Sequence, residues 1–202
     1  MDYPYFVVIN GKRYDINTSY RTAIECNEIA MDESIDEIEK GLAIICKLFG
    51  KDALDDKDNL EKLLDAGVKF LSCGIDEDVD NRNSVIDMDY IQDMPFIKAS
   101  FRSDFSINLN EEKDMHWWEF YELMCGLSNS EFGNCCILNR IRNLRNTDTS
   151  KIKDQKLKKE FEDAKEQFKL KRNIEVKRRK FTPKQEANIE RFYKEAGIKR
   201  GE

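Results

Sequence analysis

Along most of this chain the apolar residues recur at steps of three and four, the period of helices with one face turned inward. The exception comes first. Phe6 to Ile16 reads FVVI, NG, KRYDI, two alternating segments around Asn10–Gly11. A type I′ turn needs positive φ at two successive residues and favours that dipeptide, so the pattern predicts a β-hairpin. Two strands alone are marginal in water, and their apolar face must rest on the helices that follow. Asn17, Thr18 and Ser19 then cap a helix through about Ala30, with Tyr20, Ala23, Ile24 and Ile29 available for one face. Ser34 and Glu37 form a capping box ahead of Ile38, Leu42, Ile45 and Phe49, and Gly50 closes that helix. Asp58 to Glu61 opens a third, with Leu60, Leu63, Leu64, Val68 and Leu71 inward and an end near Gly74.

The densest aromatic clustering lies at residues 87–127, which hold both tryptophans and the only histidine. From Met115 to Leu127 the apolar positions are Trp117, Trp118, Phe120, Tyr121, Leu123, Met124 and Leu127, nearly all round a helix. Such a helix must be covered by neighbours, and an aromatic stripe at this spacing is ordinarily core. Asn108 to Glu111 supply a polar, cap-rich approach to it, and Tyr90 to Phe105 a shorter partner helix. Trp117 and Trp118 point about 100° apart, so one indole can be core while the other faces a groove. Cys135 to Arg145 reads as an amphipathic helix with Ile137, Ile141 and Leu144 inward and Arg140, Arg142 and Arg145 largely outward. Beyond a linker at 146–150, Leu157, Phe161, Ala164 and Phe168 make one narrow stripe on a lysine-rich helix, suited to a partner helix or to a groove on the body. Thr182, Pro183 and Gln185 open a last helix, which Gly197 closes.

The expected architecture is therefore mainly α: a multi-helix bundle with a short N-terminal β-hairpin and a C-terminal helical extension. Its divisions are a hairpin-plus-helices part at 1–74, an acidic linker at 75–87, an aromatic-rich helical core at 88–145 and a basic helical tail at 146–202.

Charge sharpens this division. Residues 1–100 carry 11 basic and 22 acidic groups, whereas residues 151–202 carry 18 and 10. An acidic body with a basic tail implies that the tail meets something anionic or folds back on the body. No apolar run approaches the roughly 18–20 residues that span a bilayer, and the N-terminus lacks a basic segment ahead of an apolar one, so a cytoplasmic protein is expected. The six cysteines include no CxxC pair and read as reduced, mainly structural thiols.

Candidate chemistry is sparse. Asp76, Asp78, Asp80 and Asp87 stand at positions 1, 3, 5 and 12 of a calcium-loop pattern. Asn81 replaces the turn glycine and Asp87 the closing glutamate, which favours a solvated linker and no metal. There is no P-loop, GxSxG, HExxH or glycine-rich phosphate loop. His116, ahead of an aromatic helix, reads as a packed or capping imidazole and not as a general base. A non-catalytic protein without a cofactor is expected. The tail has aromatics among its basic residues, as nucleic-acid binders do, but ten acidic residues share it, and a nucleic-acid partner is disfavoured.

The order of segments carries a resemblance. An acidic lead-in (IDMDYIQD) is followed by Ala99 to Phe101, then Ile107 to Leu109, then HWWEFYELMCGL and the helix ILNRIRNLR. Together these resemble the tailed-bacteriophage family known as gene product fifteen, over roughly residues 1–150 and most specifically at His116, Trp117, Trp118, Phe120, Leu123 and Leu127. The resemblance implies a tail morphogenesis protein similar to the tail assembly chaperones. Such proteins coat the long tape-measure protein before tail-tube protein polymerises around it. Its partner would be the tape-measure protein, with tail-tube protein a further candidate and self-association left open. The partner-binding candidates are Trp117, Trp118, Phe120, Tyr121 and Met124 in the aromatic helix, and Leu157, Phe161 and Phe168 in the tail stripe. The alternatives are a neck or tail-completion component of the virion, or a protein that touches nucleic acid through its basic tail.

Overall fold

A computed structural model describes residues 3–75, 86–130 and 134–171. Over these the chain is mainly helical with an N-terminal hairpin, and it divides into two compact units, residues 3–75 and residues 86–171.

In the first unit β1 (Phe6–Ile9) pairs antiparallel with β2 (Lys12–Asp15), with Phe6 opposite Asp15 and Ile9 opposite Lys12. Asn10 and Gly11 have φ of 51° and 80°, the two positive values of a type I′ turn. Ile9 and Tyr14 turn inward against Ile45, Ala53 and Leu63, which is why the pair is stable here. α1 (Tyr20–Met31) packs on α2 (Glu37–Phe49), and α2 and α3 (Leu60–Leu71) support the hairpin. Ser19 caps α1 as its position predicts. The start of α2 differs from expectation. Asp36, not Ser34, accepts from the Ile38 and Glu39 N–H groups, because the Ser34 hydroxyl is bound to Asp32. α3 also starts differently: two 3₁₀ turns, Lys51–Asp55 and Lys57–Asn59, lead into it, and Asp58 does not cap it. Gly67 lets α3 approach α2, since a Cβ there would stand 3.1 Å from a Leu48 methyl.

A polar cluster ties the hairpin to those turns. Tyr14 donates to Asp56 at 2.5 Å, Lys12 pairs with it at 2.8 Å, and Asn59 donates to both Asp56 and the Tyr14 oxygen. These bonds hold the Asp56 carboxyl down at about 2. Lys62 and Asn59 fasten Asn10 at the turn.

The second unit contains α4 (Met94–Phe105), α5 (Trp117–Cys125), α6 (Ile137–Asn146) and α7 (Gln155–Gln167). Pro95 stands in the first turn of α4, where no intrahelical N–H is needed. The start of α6 is completed from a distance: the buried Ser100 hydroxyl of α4 accepts the Leu138 N–H at 3.1 Å. Asn139 donates to the carbonyls of Leu127 and Ser128, fixing the connection from α5. α7 belongs to this unit, so the stretch to residue 171 is folded onto residues 88–145 and does not stand apart as a tail. The VKRRK run and the helix expected at 182–197 lie outside the described residues, as do Asp76, Asp78 and Asp80.

Candidate partner-binding surface

The aromatic helix α5 is two-sided. Trp117 and Phe120 are buried, their rings stacked at 5.7 Å, and Phe120 stacks on Phe101 of α4 at 5.1 Å. Tyr90 meets the Trp117 ring edge-on at 5.9 Å and Phe105 meets Phe101 the same way at 5.7 Å. This aromatic cluster is the core of the second unit, in the geometry ring quadrupoles favour. Trp118, Tyr121 and Met124 are half-buried. Trp117 and Phe120 are thus withdrawn from the partner-binding set by their burial, while Trp118, Tyr121 and Met124 keep part of their surface accessible.

The approach to α5 also differs from expectation. Asn108 and Glu111 close a turn of their own, and the helix begins at Trp117. Its cap is His116, whose Nδ1 accepts the Trp118 N–H at 3.0 Å. That imidazole is buried, and it caps the helix.

α7 carries the other candidates. None of its residues is buried: Leu157 is 46% exposed, and Phe161 and Ala164 are half-buried along the same stripe. Its C-terminal end is held more closely. The Phe168 ring meets Phe96 edge-on at 5.9 Å, and its carbonyl accepts from Arg145 Nε at 2.7 Å. Gln92 donates to the Lys169 carbonyl and accepts the Lys171 N–H. Phe168 is therefore an internal anchor, and the accessible part of the stripe lies toward Leu157.

The anchor is a buried ion pair that reading the helix pattern missed. Arg145, expected largely outward on α6, has a side chain only 8% exposed and grips Asp93, which is 0% exposed, through two parallel bonds of 2.7 and 2.8 Å. Arg145 also donates to the Asp87 carbonyl, and Asp93 accepts the Asp89 N–H. Asp93 immediately precedes the Met94–Pro95 helix start, where an acidic residue reads as a cap; its carboxylate faces Arg145 instead. Ile137, expected inward, is partly exposed, and Leu138 takes its place. Both Asp87 oxygens are engaged, by Arg142 and Asn146, so this member of the calcium-loop pattern serves the same network.

A groove of about 510 Å³ runs between this network and α7, lined by Asp87, Arg145, Glu162, Lys165, Glu166 and Lys169. Its wall mixes these charged groups with apolar surface that includes Ile86 and Leu170. Among the described residues no three His, Cys, Asp or Glu side chains gather as metal ligands, and no helix is long and apolar enough to cross a membrane. Among the described residues no two cysteines form a disulfide; Cys26 and Cys136 are buried, and burial pushes the Cys26 thiol up to about 12.

The family described as Bacteriophage Gp15 protein matches residues 2–170, which takes in both units and α7. No curated protein and no solved structure matches the chain. The family match extends past residue 150, to the end of the helix that packs on the body, and it covers most of the chain: the protein belongs to the bacteriophage Gp15 family.

Proposed function

We propose that this bacteriophage protein is a tail assembly chaperone that holds the tape-measure protein in the host cytoplasm until tail-tube protein encloses it, without catalysing a reaction. The carrying observation is α7, an amphipathic helix on the surface whose apolar stripe is not buried and whose Leu157 is 46% exposed. A tape-measure protein is a long helical chain with apolar stripes, prone to aggregate while it waits. A helix-in-groove contact needs an apolar strip with a polar rim and no reacting group. Trp118, Tyr121 and Met124 on α5 add further accessible apolar surface, and the excess of acid over base in residues 1–100 keeps a loaded complex soluble.

The test is co-expression of the full chain with the tape-measure protein of the same phage, followed by co-purification at low and high salt. Soluble tape-measure protein that stays bound at high salt is expected, with Leu157→Asp and Phe161→Asp each reducing the bound fraction at least tenfold. A client equally soluble and unbound in the presence of the chain would overturn the reading, as would retention of the chain in mature virions at fixed stoichiometry.

A further inference from the structure

The register of the hairpin leaves one edge unpaired, and the residues along that edge are unlike those on the other. Ile9 and Lys12 flank a two-residue turn, so they form a bonded pair, as do Val7 with Tyr14 and, by the Ile16 N–H to Tyr5 carbonyl bond of 2.9 Å, Tyr5 with Ile16. The N–H and C=O groups of Phe6 and Val8 therefore point away from β2. Among the described residues neither has a partner for them, and both side chains are open, at 44% and 60% exposure. Unpaired edges attract other strands, and proteins usually blunt them with charge or proline. β2 is so protected, with Lys12, Arg13 and Asp15 in four residues; β1, FVVI, holds no charge at all.

We propose that two copies of this chain pair antiparallel through β1, across a twofold axis at Val7, forming a four-stranded sheet in the order β2–β1–β1–β2. The sequence selects this register. Centred on Val7, Phe6 of each copy faces Val8 of the other, and both pairs exchange N–H···O bonds. Centred on Phe6, Val8 would face Pro4, which has no N–H to give. Centred on Val8, Phe6 would face Asn10 in the turn. The chosen alignment also orders the outer face. Each row across the sheet runs Asp15, Phe6, Val8, Arg13, apolar at the join and oppositely charged at its ends, so no like charges meet. Within each copy Arg13 already lies over the Phe6 ring at 3.9 Å and pairs with Asp15, covering the flank of that row.

The test is sedimentation equilibrium of the full chain from micromolar to high micromolar concentration, with a concentration-dependent dimer expected. Val8→Pro removes an N–H that makes no bond within the hairpin, and it should leave the far-UV spectrum unchanged and the chain monomeric. Arg13→Pro, the same change on the opposite edge, removes only the charge and the cover it gives Phe6 and should weaken the dimer far less than Val8→Pro. Val7→Cys places two thiols at the axis in a non-bonded pair, the close spacing a disulfide accepts. Mild oxidation should join position 7 to position 7, identified by peptide mass mapping. A wild-type chain that is monomeric throughout overturns the proposal, and so does a dimer that survives Val8→Pro or a Val7→Cys variant joined only through other cysteines. A monomer whose Val8→Pro variant loses the tape-measure protein would assign the edge to the client instead, and overturns it equally.

Discussion

Replacing Asp93 by Ala should destabilise the second unit far more than removal of any surface charge. The Asp93 carboxylate is fully enclosed, and it meets the Arg145 guanidinium through two bonds of 2.7 and 2.8 Å. Taking away one partner of such a pair leaves a charge buried without compensation, which costs about 3–5 kcal/mol. Measured against the roughly 5–15 kcal/mol that holds a typical domain together, that is at least about a fifth. The comparison within the same chain is the Arg13–Asp15 pair, also at 2.8 Å but with side chains 60% and 76% exposed. Solvent screening leaves a pair of that kind less than about 1 kcal/mol. Equal distances thus lead to unequal costs, and burial decides which is larger. Urea unfolding followed by tryptophan fluorescence reads the effect directly, because both indoles belong to the second unit. Asp93→Ala and Arg145→Ala should each lower stability by about 3–5 kcal/mol. The double variant should lose clearly less than their sum, since the residues share one interaction. Asp93→Leu with Arg145→Met should recover much of the loss, because apolar side chains of similar volume need no charge compensation. If either single alanine change cost no more than Arg13→Ala, the pair would be effectively solvated and the reasoning from burial would be wrong.

Other outcomes follow from neighbouring features. Trp117→Ala should cost about 3–5 kcal/mol in the same urea assay, whereas Trp118→Ala should cost clearly less and act chiefly on client retention in pull-downs. Equal losses from the two would refute the two-sided reading of α5. The Asp56 carboxyl sits at about 2 when folded, below the ordinary carboxylate value near 4, so its stabilising bonds are fully present above that value and lost as pH falls from about 4 to about 2. Hairpin amide resonances should shift through that window, and Asp56→Asn should abolish the step; a step unchanged in Asp56→Asn would assign it to another acid. Gly11 holds φ of +80°, where a Cβ is strained, so Gly11→Ala should cost about 1 kcal/mol in thermal unfolding, with no neighbouring atom to add a clash.

Local rules carried far in this chain. The Asn10–Gly11 turn, the Ser19 cap, the Gly50 stop and the helical spacing of Ile45 and Leu63 each depend on a few adjacent residues, and each is where the sequence puts it. The family was legible for the same reason, in a short block of aromatics at residues 116–127. Periodicity also indicated that Trp117 and Trp118 face different ways, but not which one is core. That choice depends on Phe101 and Tyr90, brought to α5 by packing and not by sequence neighbourhood. Capping was the least legible level. Asp36 in place of Ser34, His116 in place of Asn108, and Ser100 completing a helix 38 residues away all reflect competition among polar groups for one N–H. The arginines of α6 mark the limit of pattern reading. A helix wheel sets Arg145 outward because charge in water is its ordinary state, and only the arrival of Asp93, 52 residues earlier in the chain, makes the interior a tolerable place for it. The tail shows the same division: its apolar stripe is visible from spacing, while the docking of its C-terminal end requires Gln92 from the turn before α4, Phe96 from α4 and Arg145 from α6 to converge. Spacing along a chain encodes what a segment can bury; which neighbour buries it is a property of the folded whole.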